Sequence, residues 1–141
     1  MYYGLGCRSV SKIYLPKDYD LDILFKQVYS WKDIINNSSY YNNYTYNKTI
    51  YLMSEEKFFD NGFLILKEST EIGSPIGAVF FEYYENDNTV IKSLKKYSEK
   101  IQCIVGKNIV ENSVEFGNTQ RPSLDDFADK INTLDFLLKL S

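Results

Sequence analysis

Histidine is entirely absent from this 141-residue chain, and cysteine occurs only twice, at Cys7 and Cys103. The first absence excludes every mechanism that draws on an imidazole of this chain, Ser-His-Asp and Cys-His pairs included. With only two thiols besides, no metal site is expected, and two cysteines so far apart do not make a disulfide framework. Positive charge is also short: 16 Lys and Arg stand against 19 Asp and Glu, for a net charge of −3 and a pI near 5.0. No basic field is available to hold a nucleic acid backbone, so nucleic acid is not an expected partner. No apolar run approaches the roughly 20 residues of a spanning helix, and the start has neither the basic nor the apolar region of a signal peptide. The expectation is a cytoplasmic protein with no membrane span. Proline is scarce, at three, and no linker or repeat divides the chain, which is read as one domain over residues 1–141.

What is present is ordinary for a globular chain: 44% hydrophobic and 25% charged residues, on a length that can bury a real core. Aromatic residues are richer, at 16%, and many of the 13 tyrosines lie among asparagines in one segment. Ser11 to Leu15 alternates as a strand does, with Ile13 and Leu15 on one face and Lys12 and Tyr14 on the other. Asp18 or Asp20 then caps a helix whose stripe, Leu21, Leu24, Phe25, Val28, Trp31 and Ile35, is assigned to the core. Residues 36–47 have no hydrophobic period and many turn formers, so a surface loop is expected there. From Lys48 to Phe59 the pattern permits a strand followed by a short helix, or a single helix.

Asp60-Asn61-Gly62 signals a turn, and Phe63 to Leu66 reads as a buried strand. Residues 71–76 form a second turn, and Gly77 to Tyr84 is the central strand candidate. A helix capped at residues 86–88 runs to about Lys100, with Ile91, Leu94, Tyr97 and Ile101 inward and Lys92, Lys95 and Lys96 solvated. Gln102 to Val105 reads as a short strand in which Cys103 is a buried, inert thiol. Val114 to Gly117 is read as a last strand, followed by a helix from Leu124 and another over residues 133–140. Strands alternating with helices in this way point to an α/β fold with a mostly parallel sheet flanked by helices.

One local pattern reads as chemistry. Cys7 follows Gly4 and Gly6 and precedes Arg8. The glycines permit close backbone approach, and a neighbouring cation favours the thiolate, the nucleophilic form. A small buried hydrophobe is the plain reading of such a cysteine. The Gly6-Cys7 turn running into Lys12-Ile13-Tyr14-Leu15 and a helix resembles the catalytic-cysteine segment of the aldehyde dehydrogenase superfamily, without the glutamine usual before the cysteine. Glu71-Ile72-Gly73-Ser74-Pro75-Ile76 resembles that family's Glu-Ile-Phe-Gly-Pro-Val box, with Gly73-Ser74 in place of Phe-Gly.

Within the superfamily, the chain is most similar to the C-terminal catalytic part of acyl-CoA reductases related to the fatty acid reductase of bacterial luminescence. Four words carry this: Tyr2 to Lys12, Asp60-Asn61-Gly62-Phe63, Lys100 to Val105, and Phe116-Gly117 with Gln120 and Pro122. The resemblance implies a fold like the catalytic domain of aldehyde dehydrogenases, Cys7 as nucleophile, and Glu71 as the acid that contacts the nicotinamide ribose. It further implies NADPH or NADH as cofactor, a fatty acyl-CoA substrate, and association as a homodimer. In that family the cofactor-binding domain and the general base lie upstream of the cysteine, so the chain is expected to be an excised domain, inactive alone. The alternative is a non-catalytic α/β domain for subunit contact or small-ligand binding, supported by the lack of any complete acid-base set. A cofactor-free, cysteine-dependent acyl transferase is a third reading, but it leaves Glu71, Ile72 and Pro75 without a role.

Overall fold

A computed structural model describes residue 6 and residues 8–107, 109–110, 113–121, 124, 127 and 131–140. The chain divides into two compact units, Met1–Lys96 and Tyr97–Ser141. The first is α/β. Its sheet has four strands, β1 (Lys12–Pro16), β2 (Phe59–Asp60), β3 (Ile65–Glu68) and β4 (Ala78–Tyr84), in the order β1-β4-β3-β2. β4 pairs in parallel with β1 on one side and with β3 on the other, while the short β2 is antiparallel to β3. The expected mostly parallel sheet is thus present. At the open edge, Pro16 has no N–H to offer an incoming strand, a common way to blunt an exposed edge.

β4 is apolar almost throughout because both of its faces are covered. On one face Phe81, with Leu66 of β3 and Leu15 of β1, meets Leu21, Leu24 and Phe25 of α1 (Leu21–Val28). On the other, Phe80 and Ala78, with Ile65 of β3, meet Tyr40, Tyr44 and Tyr51 of α2 (Ser38–Met53). α3 (Asp87–Lys96) follows β4 and buries Val90 and Leu94, with Ile91 only partly covered. Its turn-by-turn placement over β1 is marked by the Tyr14 hydroxyl, 2.9 Å from the Ser93 hydroxyl.

Three sequence expectations need correction here. Residues 36–47 are not a loop: α2 takes in residues 38–47, with Asn37 as its cap, and continues to Met53. Its tyrosines at 40, 44 and 51 fall on one face, and their rings supply the apolar stripe that a scale counting tyrosine and asparagine as polar misses. The turn formers are satisfied within the helix. The Asn37 side chain caps it by accepting from the Tyr40 N–H, and Asn43, Asn47 and Thr49 donate to carbonyls one turn back. The α-helix expected to carry the stripe from Leu21 to Ile35 ends at Val28 and gives way to a 3-10 stretch, Tyr29–Asn36. At three residues per turn the stripe falls out of phase, so Trp31, expected in the core, is 62% exposed, while Ile34 and Ile35 pack beneath α2. The helix over the lysines stops at Lys96, followed by a 3-10 turn, Ser98–Lys100.

In the second unit the strands expected over 102–105 and 114–117 reduce to a single parallel bridge between Val105 and Val114. Cys103 is partly exposed rather than buried. α4 (Thr133–Leu138) forms where expected, capped by the Asn132 side chain on the Asp135 N–H. Leu134, Phe136, Leu137 and Leu138 on it all remain exposed. The helix expected from Leu124 falls mostly on residues outside the described ones. Among the described residues no helix is long and apolar enough to cross a membrane.

β3 ends at Glu68 and β4 starts at Ala78, which leaves nine residues, 69–77, to bring the chain back to the start of a parallel neighbour. Parallel crossovers usually need about a dozen residues or more. Gly77 closes this short return at φ +81°, and a Cβ there would sit 2.9 Å from the Tyr44 Cα. Gly77→Ala should therefore cost about 2 to 4 kcal/mol, from backbone strain together with displacement of α2. Gly62→Ala, at φ +92° with nothing within 4 Å, should cost only about 1 to 2 kcal/mol. Urea midpoints of the two variants test this; equal losses would mean that α2 does not rest on Gly77.

Candidate functional site

Of the two residues singled out from sequence, Cys7 lies outside the described residues, as do residues 1–5 before it. Its surroundings are described from Gly6 and Arg8 onward. The Ser9 N–H donates to the Gly6 carbonyl at 2.8 Å, and the Phe80 N–H donates to the Ser11 carbonyl at 3.0 Å. The second bond extends the pairing of β1 with β4 one residue upstream and fixes where the segment leaves the sheet.

Glu71 sits in the nine-residue crossover, exposed to solvent. The crossover is held at both ends. At its start the Ser69 N–H donates to the Phe81 carbonyl at 3.0 Å, and the Ser69 hydroxyl accepts from the Glu71 N–H at 3.1 Å. At its end the Asn47 side chain donates to the Ile76 carbonyl at 3.0 Å, the Ser74 hydroxyl donates to the Ala78 carbonyl at 2.8 Å, and Gly77 lies against Tyr44. Between these anchors Glu71 and Gly73 face solvent, and a Cβ on Gly73 would meet nothing within 4 Å. The Glu71 carboxylate is near enough to Tyr51 to add to the upward shift of that phenol, which burial dominates and Glu56 reinforces.

One side chain that the sequence reading did not single out joins the two segments. The Lys12 ammonium donates to the Ser69 carbonyl and, at 2.9 Å, to the Glu82 carboxylate, with its own side chain only 6% exposed. It also lies 5.2 Å from the centre of the Tyr14 ring. Lys12 opposes Phe80 in the ladder and Tyr14 opposes Glu82, so the ion pair is the diagonal neighbour across the parallel pair. A carboxylate inside the apolar run Ala78–Tyr84, with a lysine on a neighbouring strand, was the available signal. The first residue of the strand that leaves the Cys7 segment is thereby tied to the start of the Glu71 crossover. Distances between Glu71 and the thiol itself fall outside the described residues.

Another group of titratable side chains lies between α2 and the Asp60-Asn61-Gly62 turn. Asp60 accepts from the Tyr44 hydroxyl at 2.7 Å, from the Gly62 N–H at 2.8 Å and from the Lys48 ammonium, which is 3.4 Å from the Tyr44 oxygen. Tyr44 and Lys48 are one turn apart on a helix, a spacing that suits proton transfer when the phenol is acidified. Here it is not. Burial, then the hydrogen bond to Asp60 and its charge, outweigh Lys48 and push the Tyr44 phenol up to about 12. The arrangement holds Tyr44 neutral and pins α2 to the turn.

A shallow hollow of about 280 Å³ lies along α1, lined by Asp22, Phe25, Lys26, Tyr29 and Asn61. It is at the lower edge of the sizes that hold small molecules, and neither Glu71 nor the Gly6 segment lines it. Among the described residues no cluster of Asp, Glu or Cys is suited to holding a metal ion. No protein-family model, curated protein or solved structure matches this chain.

The Asp60 anchor has a pH signature. Burial alone would raise its carboxyl, but the hydrogen bonds from Lys48, Tyr44 and the Gly62 N–H, with the Lys48 charge, hold it below its ordinary value. The folded state therefore binds the charged form more tightly than the unfolded chain does. That contribution is complete above the unfolded carboxyl value of about 4 and is lost as pH falls through the lower folded value. Asp60→Asn should cost about 2 kcal/mol at neutral pH, and the gap to the parent should narrow as the medium is acidified below about pH 4. Urea unfolding across pH checks this, and a gap that stays constant into acid would remove Asp60 as the source.

Proposed function

We propose that this chain is the catalytic-cysteine portion of an acyl-CoA reductase, converting a fatty acyl thioester to an aldehyde through an acyl group carried on Cys7. The observation that supports the reading most directly is Lys12. Its ammonium links the strand entered from Gly6-Cys7 to the carbonyl two residues before Glu71, and these are the two segments that the resemblance pairs. The open, mostly parallel sheet with helices on both faces is compatible with the catalytic domain the resemblance implies.

In this reading the Cys7 thiolate adds to the thioester carbonyl carbon, the bond from that carbon to the coenzyme A sulfur breaks, and coenzyme A leaves as a thiolate that takes a proton from solvent. A new thioester now joins the acyl group to Cys7. Backbone N–H groups near the thiol would hold the oxyanion, and losing one such donor typically costs about 3 to 4 kcal/mol. A reduced nicotinamide, when bound, supplies the hydride that turns the acyl carbon into an aldehyde and returns the Cys7 thiolate.

The described residues fit that cofactor in part. Glu71 is exposed on a loop held at both ends, next to the open Gly73, and can accept from a ribose hydroxyl. A glycine-rich turn at a helix N-terminus, which would cradle phosphates, is not among the described residues. The phosphate contacts of NADPH or NADH would come from the upstream domain that the resemblance implies.

With that domain joined to this chain, Cys7→Ser should reduce aldehyde formation from a long-chain acyl-CoA by a factor on the order of a thousand or more, because the nucleophile itself is lost. Undiminished turnover in the variant would exclude the assignment.

A further inference from the structure

We infer that Asn61 is a deamidation site held shut by Asp60, and that its conversion to aspartate or isoaspartate loosens the turn to which α2 is anchored. The inference does not depend on the chemistry of Cys7. Asn61 is the only asparagine of the chain followed by glycine. Gly62 has no side chain to hinder ring closure onto its nitrogen, so this is the pair in which a main-chain amide most readily attacks the asparagine before it. The turn also adjoins β2, a two-residue edge strand with two ladder pairs, the kind of element that opens locally well before the whole fold does.

The structure blocks the reaction at each of its atoms. The Gly62 N–H, whose proton must be lost for the nitrogen to attack, donates to Asp60 Oδ1 at 2.8 Å. Asn61 Oδ1 accepts from the Phe63 and Leu64 N–H groups at 3.2 and 2.9 Å, which holds the side chain toward those residues. Nδ2, the leaving group, is buried with no hydrogen-bond partner among the described residues, out of reach of the water that would protonate it as it leaves. Asp60 is itself gripped by Tyr44 and Lys48 of α2. The carboxylate that anchors the helix thus also guards the asparagine.

When the turn opens, the Gly62 nitrogen gives its proton to a solvent base and bonds to Asn61 Cγ. The Cγ–Nδ2 bond breaks, and Nδ2 takes up a proton from solvent and departs as ammonia, leaving a cyclic imide closed on the Gly62 nitrogen. Water adding at Cγ opens the ring to aspartate; water adding at the Asn61 main-chain carbonyl opens it to isoaspartate. No oxidant or reductant is needed. Neither product restores the turn. Aspartate puts a carboxylate oxygen where the buried, unbonded Nδ2 stood, next in the chain to the Asp60 carboxylate, and that oxygen has no donor to offset its desolvation. Isoaspartate routes the main chain through the former side chain, so the acceptor for Phe63 and Leu64 leaves its place.

The test is the rate at which Asn61 converts in the full chain in warm, mildly alkaline buffer, read by peptide mass spectrometry as the mass gained when water replaces ammonia. The folded parent should convert on the order of a hundred-fold more slowly than the same chain unfolded in urea, since the rate follows the open population. Asp60→Ala, which frees the Gly62 N–H, should convert about ten-fold faster than the parent. Asp60→Asn, which keeps an oxygen for that N–H, should stay near the parent, and Lys48→Met should lower the urea midpoint while leaving Asn61 slow. Asn61→Asp, which copies one product, should lower the midpoint as well. A folded parent that converts as fast as the unfolded chain, an Asp60→Ala rate no higher than the parent's, or a Lys48→Met rate equal to that of Asp60→Ala overturns the guarding role. An Asn61→Asp midpoint equal to the parent's overturns the loosening of the turn. Should Asp60→Ala fail to fold, hydrogen exchange at the Gly62 amide of the parent decides: protection of about ten-fold or more is expected, and exchange at the unfolded rate overturns the proposal.

Discussion

The short return between β3 and β4 is the constraint on which most of the first unit depends. Nine residues must carry the chain back along β3 to start a parallel neighbour, without the helix that normally fills such a crossover. This is possible because β3 is only four residues long, about 13 Å of travel. It then requires a left-handed turn at Gly77, and the tightness of that turn brings α2 down until the Tyr44 backbone nearly touches the glycine. Bonds from Asn47 and Lys12 hold the two ends of the return. The exposed stretch between them, with Glu71 and Gly73, is thus exposed for a mechanical reason: the chain has no length to fold it inward.

The elements readable in the sequence were those whose periodicity is carried by aliphatic residues or phenylalanine. Ile13 and Leu15 were placed on one face of β1, and the apolar run Gly77 to Tyr84 was read as a central strand, as β4 is, lying between β1 and β3. The start of α1 was equally legible from Leu21, Leu24 and Phe25. What escaped was written in ambiguous residue types. Tyrosine is apolar in its ring and polar at its tip, and a face built from Tyr40, Tyr44 and Tyr51 disappears when tyrosine and asparagine are both taken as loop formers. Trp31 was misplaced because a change from 3.6 to 3 residues per turn leaves no trace in composition. Of the candidate site, the position of Glu71 was legible as a turn and the residues Lys12 to Leu15 after Cys7 as a strand. The Lys12 bridge was not, because it depends on which strands become neighbours, and β1 and β4 lie far apart in the chain.

Two partly buried cation systems divide the work of holding helices and loops to the sheet. Lys12 with Glu82 serves the β1 side. On the other, Lys67 of β3 pairs with Glu56 and lies 4.8 Å from the centre of the Tyr51 ring and 5.5 Å from that of Phe80. Both lysines sit on strands whose neighbours are aromatic, and in both the charge is met by a carboxylate and a ring together. A buried ion pair alone seldom gains more than its desolvation costs; the added ring faces lower that cost by giving the ammonium a second favourable surface. Their larger effect is on register, since each fixes a particular pair of strands or a strand and a loop.

The tyrosines of α2 show why that helix is not built from leucine. A leucine face would fill the same space against Phe80 and Ile65, but it would leave the Phe63 carbonyl without this donor and Asp60 with one donor fewer beside Gly62 and Lys48. The Tyr40 hydroxyl donates to the Phe63 carbonyl at 2.8 Å, and the Tyr44 hydroxyl to Asp60 at 2.7 Å. The first acceptor lies in the turn between β2 and β3, and the second is the last residue of β2. An unpaired carbonyl buried there would cost about 1 to 3 kcal/mol, comparable with what the ring gains by burial. Ring and hydroxyl therefore act together: the ring covers the sheet and the hydroxyl satisfies the turn that feeds it. The same helix then reaches Ile76 and Gly77 at the end of the crossover. One α-helix rich in tyrosine and asparagine thus sets the entry to β3 and the entry to β4, and through them the placement of the loop that carries Glu71.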